Sequence, residues 1–145
     1  MPDDASEAGA AGFEPWPRTS AFGDAAGPLL FRSDGDALTF AVSVEQRHTN
    51  ATGGAHGGML STFADLALGY AAACSTDPPT PMRTVALTID YIGPVAVGDQ
   101  LTASPRVLRV GKRLAQATAI VFARGVPVAR ASATLAVVGR LPDDT

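Results

Sequence analysis

The sequence predicts an α+β domain in which an antiparallel β-sheet of five to six strands wraps around one long central α-helix. A single apolar pattern of helical spacing runs through residues 59–74. Alternating apolar and polar residues mark strands before and after it, and short turns join the later strands. An antiparallel sheet with one apolar face needs a cover. Because only one helix is available, we expect the sheet to wrap it.

The predicted strands follow one another along the chain with turn signals between them. Gly111-Lys112 and Arg124-Gly125 indicate tight turns, and Pro105 indicates a bulge or an edge position inside a longer strand. The proline-rich segment 75–82 is expected to be a loop, since it cannot continue the helix. The predicted strands cover residues 28–32, 38–45, 85–91, 101–110, 114–122 and 126–138.

Length and composition limit the class of protein. The 145 residues are enough for one domain with its own core. We expect a loose N-terminal arm at 1–26, a single domain at 27–140 and a polar tail at 141–145. One cysteine, Cys74, excludes an intrachain disulfide framework, and with only two histidines no metal site is expected.

The distribution of apolar and charged residues bears on location and partners. No apolar run approaches the roughly 18 residues of a membrane span, and no basic, signal-like N-terminus is present. We therefore expect a soluble cytoplasmic protein. Residues 83–140 carry eight basic and two acidic residues although the net charge is −3. This basic half suits a phosphorylated ligand, whereas nucleic acid is disfavoured because aromatic residues do not alternate with the basic ones.

A glycine-rich loop, residues 47–58, leads into the predicted helix. At a helix N-terminus the first N–H groups lack intrahelical partners, and the macrodipole adds partial positive charge. A carbonyl oxygen that becomes negative during attack would be stabilised there. Gly57 and Gly58 would let a substrate carbonyl approach the backbone closely. A tight turn without further function is the alternative interpretation, and the phosphate-binding pattern GxxxxGK[ST] is absent.

Three polar residues flank the loop glycines. Asn50 offers an amide donor and acceptor, which suits polarising a carbonyl, holding a water molecule or forming a turn. His56 adjoins Gly57, and a histidine in this position orders a loop more often than it exchanges protons. His48 is interpreted as structural.

Asp65 is the only charged residue in the predicted helix. A solvated helix face would usually carry long charged side chains as well, so a lone carboxylate among small residues indicates a functional groove. The neighbours of Asp65 at helical spacing include Gly58, Ser61, Thr62, Gly69 and Ala72.

The spacing of Gly57 and Asp65 predicts an oligomer. The two residues are eight positions apart, which is about 12 Å along a helix. A short aspartate side chain cannot reach a carbonyl held by the Gly57 N–H over that distance. If both groups act on one substrate, Asp65 must come from a second copy of the chain, and a two-fold dimer would then contain two sites.

The motif Asn50-x-x-Gly53-x-x-His56-Gly57-Gly58, followed by Asp65, resembles the signature of the hotdog-fold thioesterases, in particular the PaaI-like (phenylacetic acid degradation) branch. The resemblance extends through residues 84–94, 98–101 and 110–112 and covers about residues 28–138. It implies dimers with a continuous sheet, which commonly pair into a homotetramer. It also implies acyl-CoA thioester substrates bound at the dimer interface, with CoA as part of the substrate and no separate cofactor.

The resemblance assigns roles to individual residues. The Gly57 N–H would bind the oxyanion, Asn50 would polarise the thioester or place water, and the partner subunit's Asp65 would act as nucleophile or general base. His56 and Thr84 would orient the site. The residues expected to bind substrate or CoA are Gly58, Thr62, Arg109, Lys112 and Arg113.

Two other functions compete with thioester hydrolysis. One is a non-catalytic acyl-CoA-binding hotdog protein, which the presence of both Asn50 and Asp65 argues against. The other is a hydratase or dehydratase of the same fold, in which a carboxylate generally pairs with a histidine placed differently along the helix. Release of a thiol, as opposed to formation of a double bond, separates these reactions.

Overall fold

The computed structural model of the protein describes residues 12–18 and 20–138. Eight strands, one long helix, one short helix and one 3-10 turn make up this part of the chain. In chain order the elements are β1 (Glu14–Pro15), α1 (Ala21–Ala26), β2 (Leu30–Asp34), β3 (Ala37–Ser43), the 3-10 turn η1 (Gln46–His48), α2 (Gly57–Cys74), β4 (Met82–Tyr91), β5 (Gln100–Ala103), β6 (Arg106–Val110), β7 (Leu114–Ala123) and β8 (Val126–Val137).

All strand pairs are antiparallel and form one sheet in the order β1-β2-β3-β5-β7-β8-β4, with β6 also paired to β7. The α+β architecture with one long helix is therefore confirmed. The sheet has more strands than the five to six predicted, for two reasons. The predicted strand 101–110 divides at Ser104-Pro105, where proline has no N–H for the ladder. The arm also contributes β1.

Helix α2 packs across the inner face of the sheet. Phe63, Ala64 and Leu68 are buried on one side of the contact, and Phe40 and Leu135 on the other. The inner positions of the two central strands are mostly alanine, and these small side chains let the helix approach the sheet closely. They are Ala115, Ala117 and Ala119 on β7 and Ala129, Ala131 and Ala133 on β8, all buried.

The second half of the predicted arm is packed onto the domain. Trp16 is 6% exposed and lies edge-on to Phe31 and Phe40 and against Tyr70 of α2. The Tyr70 hydroxyl donates to the Arg18 carbonyl at 2.9 Å. Burial raises the pKa of the Tyr70 phenol. Phe22, by contrast, is largely exposed. Residues 1–11 and the predicted tail 141–145 lie outside the described residues, so the predicted domain boundaries stay predictions.

Within residues 12–18 and 20–138, strand β4 ends the sheet and pairs with β8 alone along its ten residues. Its register with β8 shifts between Thr84 and Ala86, which makes Val85 the extra residue of a β-bulge. Val85 is 62% exposed. Bulges re-aim neighbouring side chains, and Thr84 immediately precedes this one. No helix among the described residues is both long and apolar enough to cross a membrane.

Candidate active site

The glycine-rich loop is organised around Asn50. Its Oδ1 accepts hydrogen bonds from the Thr52 N–H at 3.0 Å, the Thr52 hydroxyl at 2.8 Å and the Gly54 N–H at 3.2 Å. Because two of these groups are backbone donors, the atom facing them must be the amide oxygen. Asn50 therefore uses its oxygen to form the turn and leaves the Nδ2 group as a donor on an exposed side chain.

His48 also helps to hold the glycine-rich loop in place. It is 5% exposed, and its Nδ1 accepts the Glu45 N–H at 2.9 Å. Its carbonyl accepts the His56 N–H at 2.7 Å, which joins the end of η1 to the start of α2. The loop is also tied to the segment 92–99, since the Ala55 N–H donates to the Val95 carbonyl.

His56 is the N-cap of α2. Its Nδ1 accepts the Gly58 N–H at 2.8 Å, so the imidazole satisfies one of the free donors of the first helical turn. The Gly57 N–H, in contrast, meets no acceptor in the described part of the chain. The helix therefore begins with one capped amide and one free amide beside it, the latter suited to bind an oxyanion.

Tyr91, the last residue of β4, is a site residue that sequence reasoning missed. Its hydroxyl donates to the Gly57 carbonyl at 2.9 Å and lies 2.7 Å from the Ser61 Oγ. A Cβ added at Gly57 would come within 3.2 Å of the Tyr91 ring and hydroxyl. In the sequence Tyr91 looks like an ordinary apolar strand position, and nothing there links it to a glycine 34 positions away.

Asp65 lies half-buried in the middle of α2 and is oriented by Thr84. The Thr84 hydroxyl donates to the Asp65 Oδ1 at 2.6 Å. Among the described residues the carboxylate forms no ion pair, and its Oδ2 has no hydrogen-bond partner. One carboxylate oxygen is therefore held in place while the other is free to accept a proton.

Gly58 and Thr62, expected to bind substrate, engage their polar groups within the helix. The Gly58 N–H is bound to His56, and the Thr62 hydroxyl donates to the Gly58 carbonyl at 2.8 Å. Their role in substrate binding stays a prediction.

The predicted phosphate-binding residues are brought together. Arg109, Lys112 and Arg113 line one side of a cleft of about 1450 Å³, and the proline-rich loop 76–81 lines the other. None of the three forms an ion pair within residues 12–18 and 20–138. The cleft reaches Val137 of β8, which pairs with Met82, two residues before Thr84.

Comparison with known proteins identifies the family. The thioesterase superfamily matches residues 52–129, which is more than half of the chain and includes the second part of the loop from Thr52, α2 and Thr84. The chain belongs to the thioesterase superfamily. The resemblance to the PaaI-like branch is confirmed as well, because the PaaI protein of the Escherichia coli phenylacetic acid degradation operon superposes with a TM-score of 0.74 at 25% identity, over 83% of this chain and 86% of that one.

Two relatives of this thioesterase are similar in sequence. A Pseudomonas aeruginosa protein provisionally assigned as an esterase is 46% identical over 109 residues, or 74% of this chain and 81% of its own length. Mouse acyl-coenzyme A thioesterase 13 is 32% identical over 83 residues, or 57% of this chain and 59% of the mouse protein. At the level of reaction class, the protein is a thioester hydrolase.

The contact between Tyr91 and Gly57 predicts a coupled effect on stability. In Gly57→Ala the new Cβ crowds the Tyr91 ring, so we expect the free energy of unfolding to fall by about 1–3 kcal/mol. In Gly57→Ala/Tyr91→Leu the ring is gone, and the added cost of the alanine should largely disappear. Urea unfolding of both variants, with Tyr91→Leu alone as reference, measures this coupling.

Gly69→Ala is the matched control for this cycle. Gly69 lies in the same helix, and a Cβ there would meet only a Leu135 methyl at 3.8 Å. We expect it to stabilise the thioesterase by about 0.5–1 kcal/mol through helix propensity. Strictly additive costs for Gly57→Ala and Tyr91→Leu would contradict the contact.

Proposed function

We propose that this thioesterase hydrolyses acyl-CoA thioesters to a free carboxylic acid and CoA, without a metal or redox cofactor, at sites shared between two subunits. The observation that carries the proposal is that α2 presents two different reactive groups at two separate points along its length. A free amide, the Gly57 N–H, lies at its start. A carboxylate held by Thr84, Asp65, lies about 12 Å further along at 1.5 Å per residue.

The chemistry follows from these two groups. The Gly57 N–H stabilises negative charge on the thioester oxygen as the carbonyl carbon is attacked, and the exposed Asn50 amide nitrogen is a second donor for it. Asp65 acts as general base, removing a proton from the attacking water, or as the nucleophile itself. With water as the nucleophile, the tetrahedral intermediate collapses with cleavage of the C–S bond, and the proton taken up by Asp65 passes to the leaving CoA sulfur. With Asp65 as the nucleophile, the same cleavage leaves a mixed anhydride and a CoA thiolate that takes a proton from solvent; water then hydrolyses the anhydride to the free acid and restores the carboxylate. Thr84 keeps one carboxylate oxygen in position throughout.

The two groups of one chain cannot meet at one thioester, because α2 is continuous from Gly57 to Cys74. The open edge of β4 supports a second copy as the source of the missing group. A long exposed edge strand is a template for pairing. Two β4 strands paired antiparallel about a two-fold axis would bring Thr84 and Asp65 opposite the partner subunit's Tyr91. Each dimer then holds two complete sites, and we propose that two dimers form a homotetramer in the cytoplasm.

The name of the mouse relative, an acyl-coenzyme A thioesterase, and the basic cleft support acyl-CoA as the substrate class. Arg109, Lys112 and Arg113 offer three cations without carboxylate partners in the described part of the chain. Arginine and lysine bind phosphate through charge-assisted hydrogen bonds. We propose that they hold the phosphates of CoA, while the acyl group lies towards α2.

Asp65→Asn tests the reaction. The amide cannot accept a proton from water or attack the thioester, so we expect kcat to fall by about 10²- to 10⁴-fold. Thiol release from aryl, short-chain and long-chain acyl-CoA esters, followed with a thiol reagent, is the measurement. Asp36→Asn, an exposed aspartate in the β2–β3 turn, is the control and should retain full activity. A folded Asp65→Asn protein with unchanged turnover would remove the mechanism.

Hybrid dimers test the shared site. Asp65→Ala and Asn50→Ala damage opposite halves of it, so one site is intact in each mixed dimer. Unfolding and refolding an equal mixture should give about a quarter of wild-type activity, since half of the dimers are mixed and half of their sites are intact. The refolded single variants serve as controls. A mixture no more active than its components would place Asn50 and Asp65 in one subunit.

Substrate truncation tests the basic cleft. In Arg113→Ala and Lys112→Ala we expect KM for an acyl-CoA to rise by about tenfold for each lost charge-assisted bond. KM for the same acyl group on pantetheine, which lacks the nucleotide phosphates, should not change. Arg106→Ala is the control, because Arg106 starts the same hairpin strand but does not line the cleft. An equal rise in KM for both substrates would argue against phosphate recognition.

A further inference from the structure

We infer that Tyr91 is a positioning residue that acts through the Gly57–Gly58 peptide group and holds His56 in one tautomer beside the oxyanion-binding amide. The inference rests on the proposed function for its catalytic meaning. Its structural content, a hydrogen-bonded chain from Ser61 to His56, can be tested without any substrate. Its starting point is that Tyr91 and His56 contact opposite ends of the same peptide group.

The chemistry of the groups determines which one donates in each hydrogen bond of this series. The Gly57 carbonyl can only accept, so the single proton of the Tyr91 hydroxyl points to it. The short contact between the Tyr91 and Ser61 hydroxyls must then use the Ser61 proton. Protons are therefore donated in one direction, from Ser61 to Tyr91 and from Tyr91 to the Gly57 carbonyl.

The hydrogen-bonded series continues through the Gly57–Gly58 peptide bond. The carbonyl that accepts from Tyr91 shares its peptide group with the Gly58 N–H, which donates to the His56 Nδ1 at 2.8 Å. Hydrogen bonds in series polarise one another, so a donor on the carbonyl strengthens donation by the N–H. With Nδ1 accepting, the neutral imidazole carries its proton on Nε2. The exposed His56 ring is thereby left with an Nε2–H donor next to the Gly57 amide.

The two glycines allow this arrangement because both side chains occupy space that a Cβ would need. A Cβ on Gly57 would lie 3.2 Å from the Tyr91 Cζ, and a Cβ on Gly58 would lie 3.0 Å from the His56 Nδ1. Tyr91 and His56 therefore hold the Gly57–Gly58 peptide group between them. These two contacts fix the orientation of the first turn, and with it the direction of the free Gly57 N–H.

Nuclear magnetic resonance of the histidine rings in Tyr91→Phe tests the inference. The chain contains two histidines, and both accept a backbone N–H on Nδ1, so His48 is an internal reference. We expect the Gly58 amide proton to move upfield and the His56 Nδ1 resonance to move towards that of an unbonded nitrogen, with His48 unchanged. With acyl-CoA, kcat should fall by about fivefold to tenfold at unchanged KM.

Tyr70→Phe is the matched control, since the Tyr70 hydroxyl also donates to a backbone carbonyl at 2.9 Å, on the arm. It should move neither the Gly58 amide nor the His56 ring. Ser61→Ala removes the first donor, keeps the tyrosine, and should shift both resonances the same way by a smaller amount. If Tyr91→Phe perturbs His48 as well, Ser61→Ala decides the matter. Unmoved Gly58 and His56 resonances overturn the inference, whereas shifted resonances in a protein without thioesterase activity support it and overturn the proposed function.

Discussion

The start of helix α2 and its middle are held apart by an unbroken hydrogen-bond ladder, and this rigid separation governs the rest of the site. The Gly57 amide and the Asp65 carboxylate belong to the same helix and cannot approach each other. Strand β4 runs alongside α2 and contacts it at both positions. The Thr84 hydroxyl donates to Asp65, and the Tyr91 hydroxyl donates to Gly57. One edge strand therefore supports both halves of the chemistry while its free edge faces outward. In the proposed dimer, a second copy added along that edge would bring complementary halves together without any change in either helix.

The packing of the sheet explains how a single helix can serve as the core. Alanines on the inner faces of β7 and β8 leave room for α2 to lie close to the sheet, and the larger side chains Phe40, Leu68 and Leu135 fill the remaining space. Trp16 then covers the flank of α2 at Tyr70. Close packing on these sides leaves Asp65 half-buried, together with its helical neighbours Ser61, Thr62 and Gly69. The candidate site thus lies on the strip of α2 that neither the sheet nor the arm fully covers.

Local patterns sufficed to predict the helix, six strand segments and the loop before the helix, because alternation and helical spacing depend on near neighbours in sequence. Asp65 was predictable for the same reason, being a lone charge in an apolar helix. Tyr91 was not, since its role depends on a contact 34 positions away. Strand β1 was missed because two residues carry no periodicity, and Pro105 was interpreted as a bulge or an edge position within one strand, not as a break between two. The chain order of strands also gave no indication that β4 would lie at the sheet edge.

The sequence alone left open why Gly57 and Gly58, at the start of α2, are glycines. Free backbone conformation does not require them, because neither Gly57 nor Gly58 has a positive φ. Steric contact favours glycine instead, since a Cβ on Gly57 would lie 3.2 Å from the Tyr91 ring and a Cβ on Gly58 would lie 3.0 Å from the His56 ring. A tight turn and an oxyanion-binding site are therefore compatible interpretations of the two glycines. The small size of both residues admits the two rings that hold the Gly57–Gly58 peptide group. The preceding His56–Gly57 peptide group, whose carbonyl accepts from the Met59 N–H, carries the Gly57 N–H that we propose binds the thioester oxygen.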